Sequence, residues 1–240
     1  MSKGSPGVSR PTAKGAVPRR TALLAGATGL IGRALLPLLL QADDYEKVHL
    51  LLRRAVPGLP RDNKLVAHQV DFAAGAGPLP AVDDVYIALG TTIKVAGSQA
   101  AFRAVDFDAV VDTARAAHAA GARRLAVVSA LGADAGSAVF YNRVKGEMQA
   151  AVAKIGYESV LIAQPSLLVG DREALGQPAR PGEVWAARLL RPVMGWVPAR
   201  VRPIEARTVA HALLQSMLDA SPGVHLLSSA RLQQIGRPRP

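Results

Sequence analysis

The feature that most constrains this chain is a series of short, unbroken apolar runs separated by helical segments. Thr21–Ala25, Lys47–Leu52, Leu65–Val70, Asp84–Leu89, Arg124–Ser129 and Ser159–Ala163 show little polar alternation. A strand with one wet face alternates polar and apolar residues, whereas a strand covered on both faces does not. Leu30–Gln41, Ser98–Ala120 and Tyr141–Lys154 read as helices, and Gly121 stands where the second should close. Pro37 lies inside the first helix, loses a backbone bond to Arg33 and predicts a bend. Short buried strands alternating with helices predict an α/β chain with a doubly wound parallel sheet.

The rhythm changes after Pro165. Residues 171–203 are rich in Pro and Arg, with a predicted helix at Gly182–Leu190 and both tryptophans, Trp185 and Trp196. Glu205–Ala220 reads as another helix and Val224–Ser228 as a late strand. Residues 171–235 are too few for an independent domain, and predict a small C-terminal substrate lobe laid over the carboxyl ends of the strands. The chain therefore reads as a basic flexible tail (1–19), one domain (20–235) and a frayed end (236–240).

Charge and composition narrow the function. The 29 Lys and Arg against 18 acids give +11 over 240 residues, and residues 1–20 supply five of those positive charges with no acid. Such a tail could touch nucleic acid or an anionic membrane. Aromatic residues are only 4% and no nucleic-acid module is recognisable, so a specific nucleic-acid partner is not expected. No apolar run reaches the roughly 18 residues a membrane span needs, so no membrane role is expected either. With no cysteine, disulfide and thiolate chemistry are excluded. That absence, the lack of an apolar leader before Ala22 and a Pro- and Gly-broken start that suits no amphipathic transit helix all lead to a cytoplasmic expectation.

Gly26-Ala27-Thr28-Gly29-Leu30-Ile31-Gly32 joins the first strand to the first helix. Glycine there permits the tight turn, the approach of a pyrophosphate to the backbone and close packing of helix on strand. The amino end of the helix offers free N–H groups and partial positive charge to phosphate. The spacing alone is common; its place after the first strand makes it a dinucleotide signal of the Rossmann kind. An NAD site usually carries an acid at the end of the second strand, bonding the ribose hydroxyls. This chain has Arg53 and Arg54 there instead, which suit a 2′-phosphate and favour NADP(H) over NAD(H). Asp71, beside Phe72 after the third strand, reads equally as an acceptor for the adenine amino group or as a turn cap.

Tyr141 and Lys145 share a helix face at a spacing of four, and Ser129 ends the preceding strand. That trio suits carbonyl reduction: a phenol to give a proton, an ammonium to acidify it, and a hydroxyl to hold the carbonyl oxygen. Bringing a tyrosine from about 10 to about 7 requires some 4 kcal/mol of differential stabilisation.

With these residues the sequence resembles the short-chain dehydrogenase/reductase superfamily. Gly26–Gly32, Asp71-Phe72, Leu89-Gly90-Thr91-Thr92, Ser129, Tyr141 through Glu147 and Pro165 carry the likeness, from about Thr21 to Leu227. Within it, Leu89 to Thr92, Tyr141 to Glu147 and Pro181-Gly182-Glu183 after Gly170-Asp171-Arg172 are most similar to the atypical members grouped with the mammalian HIV Tat-interactive oxidoreductase. The resemblance implies a Rossmann fold, NADP(H), and catalytic roles for Ser129, Tyr141 and Lys145. It also implies that Lys145 bonds the nicotinamide ribose and that the Pro165–Leu168 backbone, Leu167 included, meets the carboxamide. Two departures stand out. Ala88-Leu89-Gly90-Thr91 replaces the Asn-Asn-Ala-Gly of typical members, and Asp106 lies near the position where those members carry a relay asparagine.

His49, His68, His118, His211 and His225 lack metal-ligand spacing, so no metal site is expected. Trp185 and Trp196 read as pocket lining or as packing. Three functions follow: an NADP(H)-dependent oxidoreductase acting on an unidentified carbonyl or alcohol, an NADP(H)-binding regulatory or interaction protein with little turnover, and a sugar-nucleotide epimerase or dehydratase. A small-molecule substrate and a monomer or homodimer complete the expectation.

Overall fold

A computed structural model of the chain describes residues 19–169, 198 and 201–237. The predicted helix at Gly182–Leu190, both tryptophans, Gly170-Asp171-Arg172 and most of the basic tail lie outside the described residues. Seven parallel strands form one sheet in the order β3-β2-β1-β4-β5-β6-β9. These are β1 (Arg20–Ala25), β2 (Tyr45–Leu52), β3 (Leu65–Gln69), β4 (Asp84–Ile87), β5 (Arg124–Val128), β6 (Ser159–Gln164) and β9 (Gly223–Ser228). A short parallel pair, β7 (Leu168–Val169) and β8 (Ile204–Glu205), stands apart from it.

Alternate residues of the central strands feed two cores. Leu24, Leu50 and Tyr86 pack under α1 (Leu30–Gln41), α6 (Ala206–Leu218) and α7 (Ser229–Ile235). Leu23, Val85, Leu125 and Ile162 pack under α4 (Ala109–Ala119) and α5 (Phe140–Val152). The central strands β1, β4, β5 and β6 are covered on both faces, which is why they read as continuous apolar runs, whereas the edge strand β9 leaves Val224 and Leu226 exposed. Pro37 is accommodated within α1.

Two elements differ from the sequence reading. Ser98–Ala120 is α3 (Gln99–Arg103), a π-helical turn (Ala104–Asp108) and then α4. Residues 204–235 do not lie over the strand ends as part of a lobe. β9 pairs with β6 from Ser159↔Gly223 to Gln164↔Ser228, and α6 packs beside α1. The physical reason is that Val209, Leu213 and Met217 of α6 form an apolar stripe complementary to Leu35 and Leu39 of α1, all fully buried.

The amino edge of the sheet is pinned by charge. Asp84, fully buried at the start of β4, accepts from Tyr45 Oη at 2.6 Å and from Arg124 Nε at 2.6 Å, and pairs with Arg20 at 3.2 Å. These partners begin β1, β2 and β5. At the opposite, carboxyl edge strand order reverses between β1 and β4, where such folds bind their ligands.

Candidate functional site

Gly26 leaves β1 with φ +91°, and a Cβ on it would lie 2.5 Å from the Ala88 carbonyl. A Cβ on Gly32 would lie 2.1 Å from the Gly26 oxygen. Both glycines are therefore demanded by the protein's own packing. Gly29 is different: its φ of −79° suits any residue, and its nearest obstruction would be the Gly26 oxygen at 3.5 Å. Nothing in the described chain demands glycine there, whereas a ligand lying against the backbone would. Gly29 is also the N-cap of α1, with no side-chain cap and no acid in the first turn, so the amides of Leu30, Ile31 and Gly32 stay available to an anion. The loop fits a dinucleotide pyrophosphate. Thr28 is exposed and its carbonyl accepts from Arg33 Nε at 3.1 Å, while Ile31 is buried and anchors the first turn.

The adenine-side residues sit at the ends of β2 and β3. Arg53 and Arg54 are exposed, and neither has an ion pair with another described residue. Asp71 accepts from its own Ala73 amide at 3.0 Å, so it caps a turn, and Phe72 packs into the core under α4.

The exit of β4 meets the catalytic side. Leu89 packs into the α4–α5 core, and a Cβ on Gly90 would lie 3.3 Å from Asp106 Oδ1 and 3.9 Å from Lys145 Nζ. The Thr91 amide donates to Asp106 Oδ2 at 2.8 Å, and Thr92 caps α2 (Ile93–Ala96) through its hydroxyl. Asp106 lies in the π-helical turn and is 1% exposed. Lys145 is also buried, with Nζ 2.8 Å from Asp106 Oδ1. That oxygen makes no directed hydrogen bond; the ammonium charge is its partner. Asp106 is thus a central residue of the site, although its place was uncertain from sequence.

Tyr141 is pushed up to about 12, first by burial and then by the Asp106 carboxylate, so the phenol keeps its proton at neutral pH. Tyr141 also rests on Phe102, ring centroids 5.3 Å apart. Gly146 is required by the loop ahead of α5, since a Cβ there would lie 2.1 Å from the Ala135 nitrogen.

Ser129 follows β5 directly, its amide bonded to the Ala163 carbonyl at 2.8 Å and its hydroxyl accepting from Gln149 Nε2 at 2.6 Å. Gln149 was not singled out in the sequence, although it continues the Tyr141–Lys145 spacing by four. The Pro165 carbonyl accepts from Leu131 and the Leu167 carbonyl from Ile204, while Leu168 pairs in β7. Those two carbonyls are therefore occupied. His49 Nδ1 lies 2.7 Å from His68 Nε2. Among the described residues no group of three or more potential ligands could hold a metal.

Residues 26–165 match a family model described as NAD(P)H-binding. Protein FMP52, mitochondrial, of Eremothecium gossypii is 35% identical over 153 residues, covering 63% of this chain and 68% of that protein. Protein HTATIP2 of Rattus norvegicus is 30% identical over 225 residues, covering 91% and 90%. Among solved structures, MoeE5 in complex with UDP-glucose and NAD aligns with a TM-score of 0.62 at 16% identity, over 86% of this chain and 75% of that one. The oxidoreductase ylbE from Lactococcus lactis aligns with a TM-score of 0.58 at 18% identity, over 90% and 96%. The mitochondrial names of the FMP52 relatives overturn the cytoplasmic expectation. A chain without thiols carries no record of the redox state around it, so missing cysteines could not decide a compartment.

Proposed function

The chain belongs to the NAD(P)H-binding family, as an atypical member of the short-chain dehydrogenase/reductase type, and from that premise we propose that it is an NADP(H)-dependent oxidoreductase acting on a carbonyl or alcohol carbon. The observation that carries the reading is Lys145, a lysine side chain only 5% exposed, held at the carboxyl edge one helical turn from Tyr141 and opposite the strand-four exit. A buried ion pair one helical turn from a phenol is an arrangement that supports a reading as proton chemistry.

When bound, the nicotinamide supplies or accepts the hydride. Gly26, Thr28, Gly29, Leu30, Ile31 and Gly32 would hold the pyrophosphate, and Arg53 and Arg54 a 2′-phosphate. Phe72 and Asp71 would border the adenine, with Asp71 Oδ2 as its acceptor, since Oδ1 serves the turn. Leu89 through Thr92 would line the nicotinamide half, with the Pro165–Leu168 segment against the carboxamide. Ser129 would donate to the carbonyl oxygen, and Tyr141 would give that oxygen its proton as the alcohol forms. Lys145 would orient the ribose while Asp106 fixes the ammonium.

Tyr141→Phe should keep NADPH binding and lose turnover in an absorbance assay over a carbonyl panel; undiminished turnover refutes the role. NADP should raise the melting temperature more than NAD at equal concentration, because only NADP presents a phosphate to Arg53 and Arg54. Equal shifts would refute the arginine argument. The buried Asp106–Lys145 pair and the raised Tyr141 favour a second reading, a coenzyme-binding regulatory protein with little turnover, which any robust Tyr141-dependent reduction would exclude.

A further inference from the structure

Tyr141, Lys145 and Gln149 follow one another at intervals of four on α5, so they form one stripe facing the end of β5. The last of them touches Ser129. Gln149 Nε2 donates to Ser129 Oγ at 2.6 Å, and Gln149 Oε1 accepts from Gln164 Nε2 at 3.2 Å. Gln164 ends β6, one residue after Ala163, whose carbonyl holds the Ser129 amide. The serine is thus gripped at two points, by its backbone from β6 and by its hydroxyl from α5. It is 5% exposed, so few solvent contacts compete with these two.

We propose that Gln149 is a positioning residue that fixes the direction of the Ser129 hydroxyl proton. The inference rests on the oxidoreductase reading above and adds a part to the same site. A primary amide has one acceptor end and one donor end. Gln164 occupies the acceptor end, and this leaves Nε2 for the serine. A hydroxyl oxygen that accepts from an amide must send its own hydrogen elsewhere. The inner side is filled by Gln149, so the O–H vector is turned toward the cleft that Tyr141 also lines. There it serves as a ready donor to a carbonyl oxygen, aligned before substrate arrives. Such alignment is what makes a donor effective against developing negative charge. A free serine rotor would instead divide its time among several directions.

The geometry separates this role from simple packing, because near-isosteric replacements should act in opposite senses on the hydroxyl. Gln149→Glu places a carboxylate against Ser129; it would accept the serine proton and draw the O–H inward. Gln149→Leu removes the amide and leaves the rotor free. The expected result for Gln149→Glu is a fall in kcat of about 100-fold at pH 8, the scale of losing one oxyanion donor. NADPH affinity should be unchanged, and rate should return as pH falls and the introduced carboxyl regains a donor proton. Gln149→Leu should lose less rate and keep the pH profile of the parent. If Gln149→Glu keeps the parent rate, or if both variants fall equally with no change of pH profile, the positioning role is overturned.

The parent and Tyr141→Phe proteins belong in the same assay, since absence of any Tyr141-dependent turnover defeats the oxidoreductase reading itself. A joint X-ray and neutron structure of the full chain, exchanged into D2O, decides the proton direction without turnover. The deuterium on Ser129 Oγ should point to the cleft with Gln149 Nε2 behind it. A deuterium directed at Gln149 Oε1 refutes the inference.

Discussion

Replacing Asp106 by asparagine tests the electrostatics of the site most directly. The carboxylate and the Lys145 ammonium are 2.8 Å apart and both are buried. At an effective dielectric of about 20 their attraction is roughly 6 kcal/mol, set against the cost of taking both charges out of water. Removing one partner of such a pair typically costs about 3–5 kcal/mol, because the other is left uncompensated. For a chain of this size that corresponds to a fall in melting temperature of roughly 6–20 °C. The second effect is on the phenol. Tyr141 is pushed up to about 12 by burial and by Asp106. Asp106→Asn removes one cause and leaves the ammonium free to favour tyrosinate, so the phenol should titrate at least about one unit lower. Difference absorbance near 295 nm, with Tyr141→Phe in the same background subtracted, reads that shift. Lys145→Met supplies the cycle: each single change should destabilise, and the double change should recover about 1–3 kcal/mol relative to their sum. An unmoved phenol together with additive losses would refute the coupling.

Gly29→Ala should leave the fold as stable or about 0.4–1 kcal/mol more stable, since its backbone angles suit alanine. NADPH affinity by calorimetry should nevertheless fall about tenfold or more, because the methyl would stand where the pyrophosphate approaches the backbone. Asp84→Asn should cost about 3 kcal/mol in urea unfolding by stranding Arg20 and Arg124, with NADPH affinity unchanged because the cluster lies at the far edge. His49 is held below its ordinary 6.5 by burial first, then by His68 and Lys47. The folded state therefore binds fewer protons than the unfolded chain, and stability should be complete above about pH 6.5 and decline as pH falls below it. Urea midpoints between pH 5 and 7.5 should follow that slope and flatten in His49→Gln.

The sheet was legible because burial on both faces leaves its mark in the central strands. Gly26 and Gly32 were legible because their geometry admits no other residue, and Tyr141 and Lys145 because helical spacing is local. Asp106 was only half legible. Its contact with Lys145 spans 39 residues of sequence, and the π-helical turn around it has no hydrophobic period of its own. Gln149 lay on a readable stripe, yet its partner Ser129 belongs to another element. The place of β9 was missed for a similar reason. Val224–Ser228 was recognised as a strand, but apolar pattern reports that a strand is covered and says nothing of which neighbour it pairs with. The His49–His68 contact was not legible because the two residues are 19 apart in sequence and only the pairing of β2 with β3 brings their rings together.

The two buried acids associated with strand four explain why stability and chemistry are kept at opposite edges. Asp84 begins β4 among two guanidiniums and a tyrosine hydroxyl, so both its oxygens are bonded. A buried polar cluster completed in this way is rigid and specifies the positions of β1, β2, β4 and β5. Asp106, beyond the other end of β4, has one ammonium and one backbone amide, and its Oδ1 lacks a directed bond. An incompletely satisfied pair stabilises a fold poorly, which makes it a poor choice for structure alone. It is a reasonable choice where a ligand is to share the lysine, since the ammonium can bond ribose hydroxyls only if its protein partner does not use all three donors. In the proposed reading the Asp106–Lys145 pair holds the lysine in place while leaving donors for the coenzyme, and the rigid amino edge supplies the stability that this arrangement forgoes.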